Sequence, residues 1–265
     1  MDSQLIMRIA LGVEYNGACY CGWQSQPNGQ SVQDELELAI QSIALHPVRI
    51  HAAGRTDAGV HALMQVIHFE TSALRPMTAW VRGVNAYLPA TIRVLWAHTV
   101  DENFHARFSA VQRSYQYVLL NQSQSSAISY DRVGWYHHAL SLDLMQTGIT
   151  YLLGEHDFSA FRASECQAKS AIKHMTRAEV RKVGDYFLFD FSANAFLQHQ
   201  VRNMVGALVY IGSGKLPTES MQTLLQQADR TLSPPTFSPN GLYLSGVRYH
   251  EQWQLPNTHR QLSLL

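Results

Sequence analysis

The order in which two periodicities alternate restricts the fold of this chain more than any other feature. Met7, Ile9, Leu11, Val13 and Tyr15 are separated by Arg8, Ala10, Gly12 and Glu14. That period of two reads as a strand with one buried face. A long glycine- and glutamine-rich loop follows from Asn16 to Gln30. Ser31 then caps a helix, with Asp34 three residues on as the acid of a capping box. Val32, Leu36, Ala39, Ile40 and Ile43 form the apolar stripe of this helix. Pro47 ends the segment, and Val48 to Ala52 reads as a short strand. Val60 to Glu70 is a longer one, with Ala62, Met64 and Val66 on one side. Thr78 to Tyr87 is a helix closed by Pro89, and the apolar, β-branched run from Thr91 to Val100 is a strand. The order is β-α-β-β-α-β, the ferredoxin-like split arrangement.

The second half repeats that order without repeating the sequence. Arg113 to Leu120 is a strand and Leu140 to Leu153 a helix ended by Gly154. Cys166 to Lys182 and Tyr186 to Phe191 make a hairpin about the Gly184-Asp185 turn. Phe196 to Ile211 is a helix, with a short one near Ser220 to Ala228, and Leu242 to His250 is the closing strand. The expected fold class is α+β: two ferredoxin-like, RRM-like βαββαβ halves related by a pseudo-twofold. Their sheets are expected to join into one extended sheet, with helices on one face and a cleft between the halves. The halves are residues 1–104 and 105–265, with the boundary near Asn103 to Ser109.

A length of 265 residues gives each half enough chain to bury a core, and 46% hydrophobic against 15% charged residues excludes a disordered chain. Lys plus Arg (20) equals Asp plus Glu (20). This excludes a protein that grips polyanions through bulk charge, but not a nucleic-acid enzyme whose basic residues line one cleft. Cys19, Cys21 and Cys166 cannot close a disulfide framework and read as reduced thiols of a cytosolic protein. The C-x-C has no further ligands near it for a zinc site. Leu5-Ile6-Met7 before Arg8 is too short for the apolar region of a signal peptide. Val205 to Ile211 spans about a third of the roughly 20 residues a membrane crossing needs. The expectation is a cytoplasmic protein with no membrane partner.

Four segments could carry chemistry. The first, Gly54 to Ala62 (Gly-Arg-Thr-Asp-Ala-Gly-Val-His-Ala), interrupts the apolar rhythm between two strands and sets Asp57 two residues after Arg55. Spacing alone fits a surface turn with a solvated ion pair equally well. The guanidinium beside it favours a carboxylate that stays ionised when partly buried, the form needed for nucleophilic or electrostatic catalysis at a sugar carbon. In the second, Phe104 to Tyr117, aromatic and basic residues interleave as in surfaces that stack bases and hold phosphates. Tyr115 and Tyr117 share a face there, and Tyr117 reads as a core tyrosine bonded at the rim.

The third segment, Asn194 to Gly206, places Arg202 inside an apolar helical stretch, where it needs a carboxylate or a phosphate, structural or functional. The fourth, Gly154 to Lys173, opens a local basic stripe. From Arg162 to Lys182 six Lys/Arg stand against two acids, though a solvated hairpin face would show the same charge. Glu155-His156-Asp157 are consecutive and cannot all point at one ion, so no metal site is expected. No Ser-His-Asp elbow, P-loop or dinucleotide fingerprint is present in the sequence.

Taken in order, these segments resemble the TruA-type tRNA pseudouridine synthases over nearly the whole chain. The likeness rests on Glu14-Tyr15-Asn16-Gly17 followed by Gly22-Trp23-Gln24, on GRTDAGVHA at 54–62, FHARFSA at 104–110 and the R-x-Y-x-Y of Arg113 to Tyr117. It continues through GEHDFSAFRA at 154–163, Cys166-Gln167, FLQHQVRNMVG at 196–206 and GLYL at 241–244. Departures are Ala171 after Ser170, where the family often has Pro, and Thr-Phe-Ser-Pro-Asn-Gly-Leu at 236–242 in place of T-A-P-x-x-G-L.

The resemblance implies a pseudouridine synthase fold with an RNA-binding cleft. It implies an isomerase that converts uridine to pseudouridine at positions 38, 39 and 40 of the tRNA anticodon stem-loop, without cofactor or metal, acting as a homodimer. Residue by residue it implies that Asp57 is the catalytic aspartate and that Arg202 holds it charged. Arg55 would help extrude the target base, Tyr115 would stack on the uracil and Leu242 would pack against the base's other face. Attack of Asp57 on C1′ and assistance in removing the C2′ proton both fit, and both need an anionic carboxylate in a water-poor pocket.

Two other classes are set against this. A non-catalytic RNA-binding protein of RRM-like topology would carry an aromatic signature of the type [KR]-G-[FY]-x-F, which is absent, and has no use for Asp57 beside phosphates. A glycosidic hydrolase would need a second carboxylate where GRTDAG supplies one. A synthase acting at another tRNA position is the remaining alternative.

Overall fold

The period of two in residues 7–15 builds β1 (Met7–Tyr15), and the elements that follow it keep the expected order. They are α1 (Val32–Ala44), β2 (His51–Ala52), β3 (His61–Thr71), a π-helical turn (Ala79–Gly83) continuing into α2 (Val84–Tyr87), and β4 (Ile92–Val100). β1 lies between β3 and β4, antiparallel to both, and β2 pairs with β3 through His51↔His68 and Ala52↔Ile67. Ser31 caps α1 as expected. Its hydroxyl accepts from the Asp34 N–H at 3.1 Å and donates to the Asp34 carboxylate at 2.7 Å. The computed structural model describes residues 6–27 and 29–262. Leu5 of the N-terminal apolar tripeptide and Asn28 of the long loop lie outside the described residues.

β1 departs from the expected single buried face, because residues 9–13 are buried without alternation, and β3 is likewise covered on both faces. Phe69 packs edge-on against Trp80 at 5.3 Å. On the opposite face His68 meets Phe104 and His105 at 6.0 and 4.6 Å, and its Nδ1 accepts the Ala106 N–H at 3.1 Å. An Nδ1 that accepts must be neutral. Burial, with His105, His51 and Arg8 nearby, pulls the His68 pKa down to about 3. The unfolded chain therefore takes up this proton first as the pH drops below the ordinary 6.5, and stability falls between there and about pH 3. Urea unfolding at pH 7 and pH 5 is expected to differ by about 1–2 kcal/mol, from 1.36 kcal/mol per pH unit for one proton. In His68→Asn, which keeps an acceptor but cannot titrate, the slope should shrink; an unchanged slope would remove His68 from the account.

The second set of elements is β5 (Ala110–Asn121), β6 (Gly134–Tyr136), α3 (Leu142–Thr150), β7 (Gly154–Asp157), β8 (Ile172–Val183), β9 (Tyr186–Ala193), α4 (Gln200–Gly212) and α5 (Ser220–Gln227). β9 pairs antiparallel with β5 and β8, β7 adds to β8, and the short β6 runs parallel to β5. β6 and β7 are too short to show a period and were not expected from the sequence. β8 begins at Ile172 rather than Cys166, and α4 begins four residues after Phe196. His199 adopts a left-handed conformation (φ 63°), and the Gln200 side chain accepts the Leu197 N–H at 2.8 Å, so residues 196–199 form a turn before the helix.

The basic stripe expected from Arg162 to Lys182 is largely consumed by the fold. Lys173 is buried, and its ammonium donates to the carbonyls of Ser170 (2.6 Å) and Ile172 (2.9 Å). Arg162 donates to the Cys166 and Ala168 carbonyls. Arg177 and Arg181 stand 3.7 and 3.8 Å from the buried carboxylate of Asp190. Charge counted along the sequence therefore overstates the charge this hairpin offers to phosphate.

Residues up to Val111 together with those from Leu244 onward form one compact unit, and Gln112–Tyr243 form the other. β10 (Leu242–Tyr249) carries the chain from the second into the first. Division by sequence order places these last residues in the C-terminal half. In the structure Tyr249 and Trp253 pack on Phe104 at 5.3 and 5.4 Å, and Arg260 pairs with Glu14 at 2.7 Å. Among the described residues no helix is long and apolar enough to cross a membrane.

Candidate active site

In the first unit the chain from Gly54 to Val60 leaves the sheet and returns as β3, and a second loop from Asn16 to Gln24 grips it. The Trp23 N–H donates to the Thr56 carbonyl at 3.0 Å and the Gly59 N–H to the Tyr20 carbonyl at 3.4 Å. The Tyr15 hydroxyl lies 2.8 Å from the Thr56 hydroxyl. Gly22 sits at φ +94°, and a Cβ there would come within 2.8 Å of the Thr56 carbonyl oxygen, so only glycine fits this approach. Farther along, the Gln65 amide donates to the Gly54 carbonyl at 2.7 Å. Asp57 is thus placed by backbone contacts on both sides and is itself half-buried, between buried Thr56 and exposed Ala58.

Arg55 is exposed. That exposure suits the part expected of it in extruding the base.

The second unit holds Tyr115, Arg202 and Leu242. Tyr115 lies on β5 opposite Phe191 of β9, and Phe196 meets its ring edge-on at 5.0 Å. Tyr117, on the same face, is fully buried, donates its hydroxyl to the Ser238 carbonyl at 2.9 Å and packs against Phe189 and Phe237. Burial pushes its phenol well above the ordinary range. It is the core tyrosine the pattern suggested.

Arg202 occupies the first turn of α4, where its Nε donates to the Phe237 carbonyl at 2.9 Å and its own carbonyl accepts the Phe237 N–H at 3.3 Å. A cation in a helix's first turn opposes the helix dipole. Its presence there, with one donor anchored, builds a concentrated positive potential suited to an anion. Because Phe237 contributes backbone atoms to this contact, the departure from T-A-P at 236–238 leaves the anchoring of Arg202 intact. Leu242 is buried, just after the 3-10 turn Pro239–Gly241.

From the sequence, Tyr15, Gly17, Gly22, Trp23 and Phe196 stand out only as members of the motifs that carry the resemblance, Phe237 only in a departure from it, and Tyr20 not at all. The signal for a clamp and for aromatic supports is the glycine spacing before Trp23 and the aromatic residues beside Arg202. Cys19, Cys21 and Cys166 are free thiols. His156 of β7 points to the opposite face from Glu155 and Asp157, as alternation along a strand requires.

Within their own units, Asp57 is held on a braced loop, Arg202 is anchored at a helix start and Tyr115 is fixed on a strand. The chain belongs to the tRNA pseudouridine synthase family, whose model matches residues 12–109 and 149–250. The two segments include Asp57, Arg202 and Leu242, and Tyr115 falls between them. This makes the chain an isomerase.

Among individual relatives, the tRNA pseudouridine synthase A of Methylobacillus flagellatus is 60% identical over 258 residues, covering 97% of this chain and 99% of that protein. The proteins of the same name from Nitrosomonas eutropha and Chromobacterium violaceum are 56% and 55% identical over 250 and 252 residues. They cover 94% and 95% of this chain and 90% and 96% of their own lengths.

Proposed function

We propose that this synthase acts on uridines 38, 39 and 40 of the tRNA anticodon stem-loop, with Asp57 as its catalytic carboxylate. The observation that carries the reading is the braced, half-buried Asp57 between two strands. In the reaction the N1–C1′ bond breaks, the base turns while still held, and C5 bonds to the same C1′. The proton on C5 is lost and N1 gains one. Every atom is retained and nothing is oxidised or reduced, so the protein has to supply an anionic carboxylate, a dry pocket and a grip on the detached base.

A paired base is out of reach, so the nucleotide swings out and protein takes its place. Arg55, exposed, suits that role. Tyr115 stacks on the uracil, Leu242 closes the other side, and Arg202 keeps Asp57 ionised. Recognition of the stem-loop rests on shape and phosphate contacts, in keeping with a neutral chain. The protein works in the cytoplasm as a homodimer.

Products separate this reading from the hydrolase. After incubation with unmodified tRNA, an isomerase leaves the mass of the RNA unchanged and no free uracil, whereas a hydrolase releases the base. For the aromatic platform, Tyr115→Phe keeps the ring and should retain turnover. Tyr115→Ala should lose about 10–100-fold, in line with the ~1–3 kcal/mol of a base–aromatic stack. Full activity in the alanine variant would end the stacking role.

A further inference from the structure

We infer that His61 is a positioning residue for the catalytic loop, acting through Gly17; this rests on the reading of Asp57 as the reactive carboxylate. His61 is the first residue of β3, and its ring is buried, 2% exposed. Its Nδ1 accepts the Gly17 N–H at 3.0 Å. Gly17 opens a turn in which its carbonyl accepts the Tyr20 N–H at 3.0 Å, and the Tyr20 carbonyl in turn accepts the Gly59 N–H at 3.4 Å. Gly59 lies inside the turn that Asp57 closes through its carbonyl and the Val60 N–H at 3.1 Å.

Two turns, 17–20 and 57–60, are therefore locked together, and His61 pins the first to the strand that carries the second. The lock leaves no slack, because a Cβ on Gly17 would sit 1.9 Å from the Val60 carbonyl oxygen. On the other flank the Trp23 N–H holds Thr56. Without an acceptor at the His61 Nδ1 position, a buried N–H is left unmade at the root of the first turn, and the turn shifts to recover it. The shift passes through Tyr20 to Gly59, two residues from the carboxylate. Misplacement of a reacting group by about 1 Å costs up to about a hundredfold in rate.

The test exploits which atom of a replacement can stand at Nδ1. Asn offers its amide oxygen at that position, Gln offers one a bond farther out, and Leu offers none. In single-turnover and steady-state assays on unmodified tRNA, His61→Asn should stay within about threefold of wild type. His61→Gln and His61→Leu should lose about 30-fold or more in kcat, with KM for tRNA within about twofold. A purely structural His61 would give all three the same kcat loss, or a loss that follows their melting temperatures, and either result overturns the proposal. So does wild-type kcat in His61→Leu. If the leucine variant does not fold, the comparison of Asn with Gln decides alone. Asp57→Asn in the same assay separates the two claims. Normal turnover there would remove the reading of Asp57 itself, whereas a dead Asp57→Asn beside an active His61→Leu would remove only the positioning role.

Discussion

Replacing Asp57 with Asn should abolish pseudouridine formation, with kcat lower by about 10³-fold or more, while tRNA remains bound. Asn has nearly the same shape, and the clamp from Trp23 and Tyr20 is made by backbone groups, so it stays in place. What disappears is the negative charge proposed to attack the sugar or to remove its proton. Binding of a polyanion does not suffer from that loss, because a carboxylate near phosphates repels them. The expected pattern is an unchanged melting temperature, a Kd for tRNA within about threefold, and no turnover. Single-turnover assays and a tRNA-binding titration on the same preparation check it.

Arg202→Ala should be the next most damaging change, with kcat lower by about 10²–10³-fold at a small cost in stability. Part of the stability cost has a definite source. The Phe237 carbonyl loses the Nε donor that now sits 2.9 Å away, worth about 1 kcal/mol. Relieving a cation from the first turn of α4 returns part of that, since the helix dipole disfavours it there by about 0.3–1 kcal/mol. The net change in melting temperature should be within about 3 °C for a chain of this size. Arg202→Lys should recover little, because a point charge on a flexible stem cannot keep one nitrogen on Phe237 while presenting others in a fixed plane. A large fall in melting temperature with normal turnover would make Arg202 a structural residue.

Both residues were visible in the sequence because each breaks a rule that its surroundings otherwise obey. Asp57 interrupts two strand-like runs with a polar, glycine-bounded segment, and Arg202 interrupts an apolar helical stripe. The element order was legible for a related reason: β1, α1, β3, β8 and β9 are long enough for a period of two or 3.6 to show. β6 and β7 span three and four residues and show no period.

The start of α4 was misplaced because the apolar pattern runs on through 196–199, while the left-handed His199 and the Gln200 side chain hold that stretch in a turn. The basic stripe misled because a count of charges does not register the partners that folding supplies. Asp190 is one β-strand away from the arginines it meets. The clamp on the Asp57 loop was the least legible part. It is made of backbone N–H and carbonyl groups, which every residue carries, so only Gly17 and Gly22 hinted at close approach.

The most direct test of the account maps pseudouridine, nucleotide by nucleotide, in unmodified tRNA incubated with purified wild-type protein and, separately, with Asp57→Asn. New pseudouridine is expected at 38, 39 and 40 in the anticodon stem-loop with the wild type, none with the variant, and no uracil set free by either. Pseudouridine made by the Asp57→Asn protein, or wild-type modification confined to a different part of the tRNA, would contradict it.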